Sequence, residues 1–255
     1  MLNNFWTNND SFLYIGDVLE VLKSLPDKSF DLIFADPPYF LSSNGITCSG
    51  GKMVSVNKGS WDETRSLAEI HAFNLKWIEL CKCKLKDNGT IFVSGTFHNI
   101  YSVGFCLQEL GFKILNDICW FKVNPPPNLS CRFFTHSTEQ IIWAKKDNKE
   151  KHFFNYQLMK EMNDPAPNKQ MLSLWKITPP KKSEKTFGKH PAQKPLELIE
   201  RIILASTQEN EMILDPFVGS GTTAVAALKL GRKFVGVDNN VEYLKIAVER
   251  INEIA

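Results

Sequence analysis

Met212-Ile-Leu-Asp-Pro-Phe-Val-Gly-Ser-Gly-Thr-Thr-Ala-Val-Ala-Ala-Leu-Lys-Leu-Gly-Arg-Lys-Phe-Val-Gly-Val-Asp238 reads as strand, glycine turn, helix and strand in turn. Met212–Asp215 and Lys233–Asp238 are short apolar runs of the kind buried in parallel sheets, and Thr222 to Leu230 carries the helical spacing. Gly219 and Gly221 lack side chains where backbone must come close to a ligand at a helix start. Gly219-x-Gly221-x-x-Ala224 fits the loose dinucleotide fingerprint, and Asp238 at the end of the next strand is placed to bind ribose hydroxyls. The loop therefore points to a nucleotide-like ligand. It leaves a nicotinamide cofactor and S-adenosylmethionine both open, beside the plainer reading of a glycine turn that packs a helix.

The same alternation extends outward. Phe12 to Ile15 reads as a strand, Val18 to Leu25 as a helix ending at Pro26, and Phe30 to Ala35 as a buried strand. A polar, Gly-rich loop from Ser42 to Ser60 precedes a helix from Leu67 to Leu85 and a strand from Thr90 to Ser94. A helix from Asn99 to Leu110 follows, then strands from Lys113 to Lys122 and from Gln140 to Lys145. Between these two strands, Pro125-Pro126-Pro127 cannot sit inside a sheet and marks a projecting loop. From Asp147 to Gly188 regularity weakens and prolines and aromatics intersperse, so residues 147–188 read as an inserted recognition segment. Helices from Pro195 to Ser206 and from Val241 to Ile254 complete the pattern. Strand and helix taking turns predicts an α/β fold with a mostly parallel sheet covered on both faces.

The 255 residues are 43% hydrophobic and 23% charged, enough for a large core and against disorder or a fibre. No apolar run approaches a membrane span and Met1–Asp10 lacks the features of a signal peptide, so a soluble, cytoplasmic protein is expected. The six cysteines show no C-x-x-C pair, and no histidine pair stands at metal-ligand spacing, so neither disulfides nor a metal is expected; His136 and His190 read as structural hydrogen-bonding residues. Lys+Arg 30 against Asp+Glu 28 looks balanced, yet Lys145 to Lys194 holds twelve lysines and five acids, +7, leaving −5 for the rest of a chain whose net charge is +2. That asymmetry suits a phosphate backbone as well as a merely solvated loop.

Asp36-Pro-Pro-Tyr39, at the carboxyl end of the Phe30–Ala35 strand, decides between the ligands left open by the glycine loop. Ligands in open parallel sheets bind at those ends, so both motifs are expected to open onto one crevice. Pro37 forces Asp36 into an extended conformation, and neither proline brings an N–H to occupy neighbouring acceptors. A carboxylate and a rigid carbonyl then face one point and can accept both hydrogens of an exocyclic amino group, while the Tyr39 ring offers a stacking face for its base.

With these motifs in order, the chain resembles the β-class, S-adenosylmethionine-dependent DNA amino-methyltransferases. The residues that carry the resemblance are Gly16-Asp17, Asp36-Pro-Pro-Tyr39, Gly89-Thr-Ile-Phe-Val-Ser-Gly95, His190-Pro-Ala-Gln-Lys-Pro195, Asp215 to Thr223 and Phe234 to Asp238. Asp36 to Leu41, Asn99 to Gly104, Pro127 to Arg132 and Phe134 to Glu139 are similar to the adenine methyltransferases of Dpn-type, GATC-recognising restriction-modification systems. The resemblance implies a Rossmann-like, seven-stranded sheet permuted so that the cofactor half is C-terminal: residues 1–146 as the catalytic half, 147–188 as the insertion and 189–255 as the cofactor half. It implies methyl transfer to adenine N6 in GATC. It also implies DNA as partner, duplex or single-stranded, a homodimer as the frequent assembly, and a cognate restriction endonuclease linked in function.

The resemblance further implies that Asp215, Pro216, Phe217, Gly219, Gly221, Thr222 and Thr223 enclose the methionine part of the cofactor. Asp238 and Asn239 would hold the ribose and Asp17 the adenine, with Lys194 and Pro195 closing the methionine side and Asp36 shared with the cofactor site. Asp36, Pro37, Pro38 and Tyr39 would be catalytic, with Tyr39 acting through its ring, so that a phenylalanine there is expected to preserve much activity. For DNA, the candidates are the loop Asn44 to Trp61, Arg132 in the proline loop for a guanine, and Lys181, Lys182 and Lys185 for phosphates.

The rival readings are weaker. Cytosine-N4 enzymes of the same architecture commonly carry serine where Asp36 stands, and RNA or protein methyltransferases usually carry asparagine. Cytosine-C5 chemistry needs a nucleophilic cysteine, typically after proline, and no Pro-Cys dipeptide occurs. A nicotinamide oxidoreductase or a silent DNA-binding module would leave Asp36-Pro-Pro-Tyr39 without a purpose.

Overall fold

The computed structural model describes residues 2–40, 45–49, 52–56, 66–125, 127–128, 130–164, 166–188 and 190–254. In chain order the strands are β1 (Asn4–Asn8), β2 (Ser11–Ile15), β3 (Phe30–Ala35), β4 (Gly45–Ser49), β5 (Lys52–Val56), β6 (Leu85–Gly95), β7 (Lys113–Phe121), β8 (Thr138–Lys145), β9 (Leu174–Lys176), β10 (Met212–Asp215) and β11 (Lys233–Asp238). The helices are α1 (Val18–Ser24), α2 (Leu67–Lys84), α3 (Ile100–Glu109), α4 (Tyr156–Glu161), α5 (Leu196–Ser206), α6 (Thr222–Lys229) and α7 (Val241–Asn252).

Nine described strands form one sheet in the order β1-β2-β11-β10-β3-β6-β8-β7-β9, while β4 and β5 make a separate antiparallel hairpin after the Asp36 turn. β2, β11, β10, β3 and β6 run parallel, and β8 pairs antiparallel with both β6 and β7. The expected mostly parallel sheet is therefore present, and it is wider than seven strands because β1 and β9 add one strand at each edge. Alternate residues of the central strands face two layers. Leu32, Phe34 and Phe92 pack under α5, α6 and α7, whereas Ile33, Ala35, Ile91 and Val93 pack under α1, α2 and α3.

The segment 147–188 is woven into this sheet. β9 pairs with β7, Trp175 and Ile177 are buried in the larger core, and the Asn155 N–H donates to the Ala205 carbonyl at the end of α5. Among the described residues no helix is long and apolar enough to cross a membrane.

Topology gathers the chemistry at one end. From β10 the chain passes to β11, away from β3, and from β3 it passes to β6 on the other side, so β10 and β3 flank a switch point. Residues just past the strand ends therefore line up across the sheet: Asp17 after β2, Asp238 closing β11, Asp215 closing β10, Asp36 after β3 and Ser94 near the end of β6. The loop between β7 and β8, with Arg132, leaves the same edge, because Gly95 at the end of β6 lies opposite Gln140 at the start of β8.

Candidate active site

A cleft crosses that edge with about 940 Å³ of empty space, its open mouth included. Asp36, Pro37, Pro38 and Tyr39 line it together with Pro216, Phe217, Gly219, Asp238, Asn239 and Asp17. The two motifs therefore share one cleft. Gly16, Val18, Phe40, Phe73, His190, Ala192, Val237 and Tyr243 complete the lining.

The acidic turn is held from three directions. Asp36 Oδ1 accepts hydrogen bonds from the Tyr39 hydroxyl at 2.6 Å and the Ser94 hydroxyl at 2.5 Å, while Oδ2 pairs with the Lys194 ammonium. Lys194 also donates to the Tyr39 hydroxyl at 3.0 Å and lies 3.6 Å from Glu139. Burial pushes the Tyr39 hydroxyl well above its usual range, reinforced by the charge of Asp36, so it remains a phenol and a donor. Burial works against the Lys194 charge, but Asp36 and Glu139 more than offset it and hold its pKa above the usual lysine value. Behind the turn, Asn99 donates to the Pro38 carbonyl at 3.1 Å. Asn99 in turn accepts from Asn74, and the Trp77 indole donates to Asn74, a chain of buried polar groups that fixes the rigid loop.

The glycine turn is held by its own acids. Asp215, buried at the end of β10, accepts from the Phe217 N–H at 2.9 Å and the Thr223 hydroxyl at 2.6 Å. Burial raises its pKa to about 7. Asp238 accepts from the Gly219 N–H at 2.9 Å and the Asn240 N–H at 2.8 Å, and burial raises its pKa as well. Gly219 and Gly221 both have positive φ, +51° and +79°, and a Cβ on Gly221 would stand 2.6 Å from that of Ala247. Arg250 of α7 ties the turn from behind, donating to the Ser220 carbonyl at 2.7 Å and the Thr222 hydroxyl at 3.0 Å.

Of the residues expected at the cofactor, Asp215, Gly221, Thr222, Thr223, Lys194 and Pro195 are not among those that line the cleft. Asp215 and Thr223 bond to each other, Pro195 caps α5, and Lys194 turns its side chain to Asp36. Asp17 lines the cleft while its carboxylate caps α1 through the Leu19 and Glu20 N–H groups. His190, expected only as a structural residue, lines the cleft with its ring edge-on to Tyr243 at 4.3 Å. Sequence reasoning assigned no role to Ser94, Glu139, Asn74 or Phe73. The one signal for Asn74 was a polar residue on the apolar face of α2, in register with Ile70, Trp77 and Cys81.

The DNA candidates stand around the same edge. Arg132 is exposed beside Phe133 and the almost fully exposed Phe134. Lys181 and Lys182 are exposed and Lys185 half-exposed on a short turn clamped to α5, since Glu184 accepts from the Lys181 and Leu196 N–H groups. Of the loop Asn44 to Trp61, residues 44, 50–51 and 57–61 lie outside the described residues, and the remainder forms the β4–β5 hairpin.

A family model described as DNA methylase matches residues 30–249, spanning both motifs. The chain belongs to this DNA methylase family. This methylase is 57% identical over 254 residues to the Type II methyltransferase M2.LlaDCHI of Lactococcus lactis subsp. cremoris, covering 99% of this chain and 93% of that one. It is 57% identical over 252 residues to M2.DpnII of Streptococcus pneumoniae, covering 98% and 93%. It is 50% identical over 242 residues to M2.MboI of Moraxella bovis, covering 95% and 88%. Among solved structures, the M1.HpyAVI–SAM complex is similar with a TM-score of 0.69 and 30% identity, over 94% of this chain and 98% of that one. The cytosine-N4-specific PvuII DNA methyltransferase shares the fold with a TM-score of 0.76 at 22% identity, over 98% and 89%.

Proposed function

We propose that this methylase transfers a methyl group from S-adenosylmethionine to N6 of an adenine swung out of DNA, within GATC. One observation carries the reading: the Asp36 carboxylate and the glycine turn capped by Asp238 open onto the same cleft. The M1.HpyAVI relative, at 30% identity, is described as a complex with S-adenosylmethionine. The residues that line the cleft suit that cofactor: Asp238 and Asn239 would hold the ribose, Asp17 the adenine, and Pro216, Phe217 and Gly219 the methionine part. When bound, the cofactor supplies an electrophilic methyl on a sulfonium.

The chain supplies the rest. Adenine N6 is a poor nucleophile because its lone pair is delocalised into the ring. Hydrogen bonds from N6 to the Asp36 carboxylate and the Pro37 carbonyl favour the tetrahedral nitrogen of the transition state, and the Tyr39 ring stacks on the base. GATC and adenine are supported by the 57% identity to M2.DpnII together with the Asp at position 36. The basic turn at Lys181–Lys185, part of the segment 147–188, and Arg132 supply phosphate and base contacts. We place the protein in the cytoplasm, linked in function to a cognate endonuclease that it need not bind.

Incubation with labelled S-adenosylmethionine and duplex or single-stranded oligonucleotides bearing GATC or a scrambled site, followed by digestion to nucleosides, tests the assignment. N6-methyladenine from GATC strands is expected. Label in N4-methylcytosine, or equal label in scrambled DNA, would overturn it.

A further inference from the structure

Lys194 stands between the two motifs. Its side chain is 6% exposed and is not among the residues that line the cleft. Its ammonium meets Asp36 Oδ2 in an ion pair, the Tyr39 hydroxyl at 3.0 Å, the Ala192 carbonyl at 3.4 Å and Glu139 Oε2 at 3.6 Å. The second carboxylate is itself anchored, since Lys122 donates to Glu139 Oε1 at 2.5 Å. Meanwhile the Lys194 backbone carbonyl accepts from the Thr222 hydroxyl at 3.3 Å, at the first turn of α6 behind the glycine loop. One residue therefore joins the two motifs, its main chain fastened to the cofactor loop and its side chain to the acidic turn.

We propose that Lys194 is a positioning residue for methyl transfer: held by Glu139, its ammonium keeps the Asp36 carboxylate aimed at the amino group to be methylated. The inference rests on Asp36 receiving that amino group, and it gives Lys194 a role other than contact with the cofactor. The groups that face Asp36 define the electrostatics. Lys194 precedes α5, Tyr39 shares the turn, Ser94 comes from β6, Glu139 from β8 with Lys122 beyond it, and Asp215 from β10. Lys194 pairs with Asp36 and lies 3.6 Å from Glu139. Without it, Asp36 Oδ2 loses its cationic partner, and the carboxylate is no longer held in place toward the amino group.

The test compares wild type, Lys194→Met and Lys194→Arg in single-turnover methylation of a GATC duplex, with cofactor affinity by calorimetry. For Lys194→Met the expected results are a rate lower by about 30-fold or more and a cofactor Kd within about threefold of wild type. Lys194→Arg keeps the charge and should keep most of the wild-type rate, which secures the test if the Met variant does not fold. A Lys194→Met rate near wild type, a cofactor Kd that weakens in step with the rate, or a Lys194→Arg rate lower by about 30-fold or more would overturn the proposal. The methylated base formed by the wild-type control reports separately on the adenine reading, since the rates follow total methyl transfer.

Discussion

The Tyr39 hydroxyl donates a 2.6 Å hydrogen bond to Asp36 Oδ1 while receiving one from Lys194 at 3.0 Å. The sequence alone suggested a role for the ring only, and the structure gives the hydroxyl a charged partner. A hydrogen bond to a charged group contributes about 1.5–3 kcal/mol, so Tyr39→Phe is expected to lower the single-turnover rate by about 10-fold or more with the cofactor Kd unchanged. Tyr39→Ala loses the stacking face as well and should fall at least about another 10-fold. A Phe variant at the wild-type rate would remove the hydroxyl from the account, and equal losses would remove the ring.

Gly221 and Gly231 both have positive φ, +79° and +73°, but their surroundings differ. A Cβ at Gly221 would meet the Ala247 Cβ at 2.6 Å, whereas the nearest atom at Gly231 is 3.8 Å away. Gly231→Ala should therefore cost only the backbone term, about 1 kcal/mol. Gly221→Ala adds overpacking against α7 and should cost about 2–4 kcal/mol in denaturant melts, with loss of cofactor binding. Equal costs at the two positions would show that the glycine turn does not need its close approach to α7.

Asp215 offers a stability test with a definite sign. Its pKa rises from 3.8 to about 7 on folding because it is buried. A group raised in the folded state favours folding most at low pH, and that contribution is lost as pH rises through the window from 3.8 to about 7. Asp215→Asn does not titrate and can still accept from the Phe217 N–H. The cofactor-free variant should therefore gain stability relative to wild type between pH 4 and 8, by an amount of order 4 kcal/mol at full titration. Parallel stability curves across that range would contradict the buried carboxylate.

If Lys181, Lys182 and Lys185 face phosphates, replacing all three with alanine should flatten the dependence of log binding constant on log salt by about 0.9 per phosphate released. Discrimination between GATC and scrambled duplex should change little, whereas Arg132→Ala should weaken it. An unchanged salt slope in the triple variant would move the DNA path elsewhere on the carboxyl edge.

The elements legible in the sequence were those whose signal is local. β3, β10 and β11 occur at the residues their apolar runs indicated, because strands buried on both faces must be apolar throughout. β1, with the sequence NFWTN, is a half-exposed edge strand whose alternation is too weak to read, and β9 is three residues long inside an irregular stretch. The site divides in the same way. Asp36, Tyr39, Gly219 and Asp238 were legible because proline and glycine turns declare their chemistry within a few residues. Ser94 and Lys194 reach Asp36 across 58 and 158 residues of chain, and Glu139 meets Lys194 only once β8 pairs with β6. Such partnerships follow from strand order, which no single segment encodes.

The central claim is that Asp36 acts on the amino group from within the cofactor's own cleft without holding the cofactor. Calorimetry and single-turnover methylation of a GATC duplex on Asp36→Ala test it together. The account predicts a cofactor Kd within about threefold of wild type and a methylation rate lower by at least about 100-fold. Near-wild-type methylation by Asp36→Ala would contradict it.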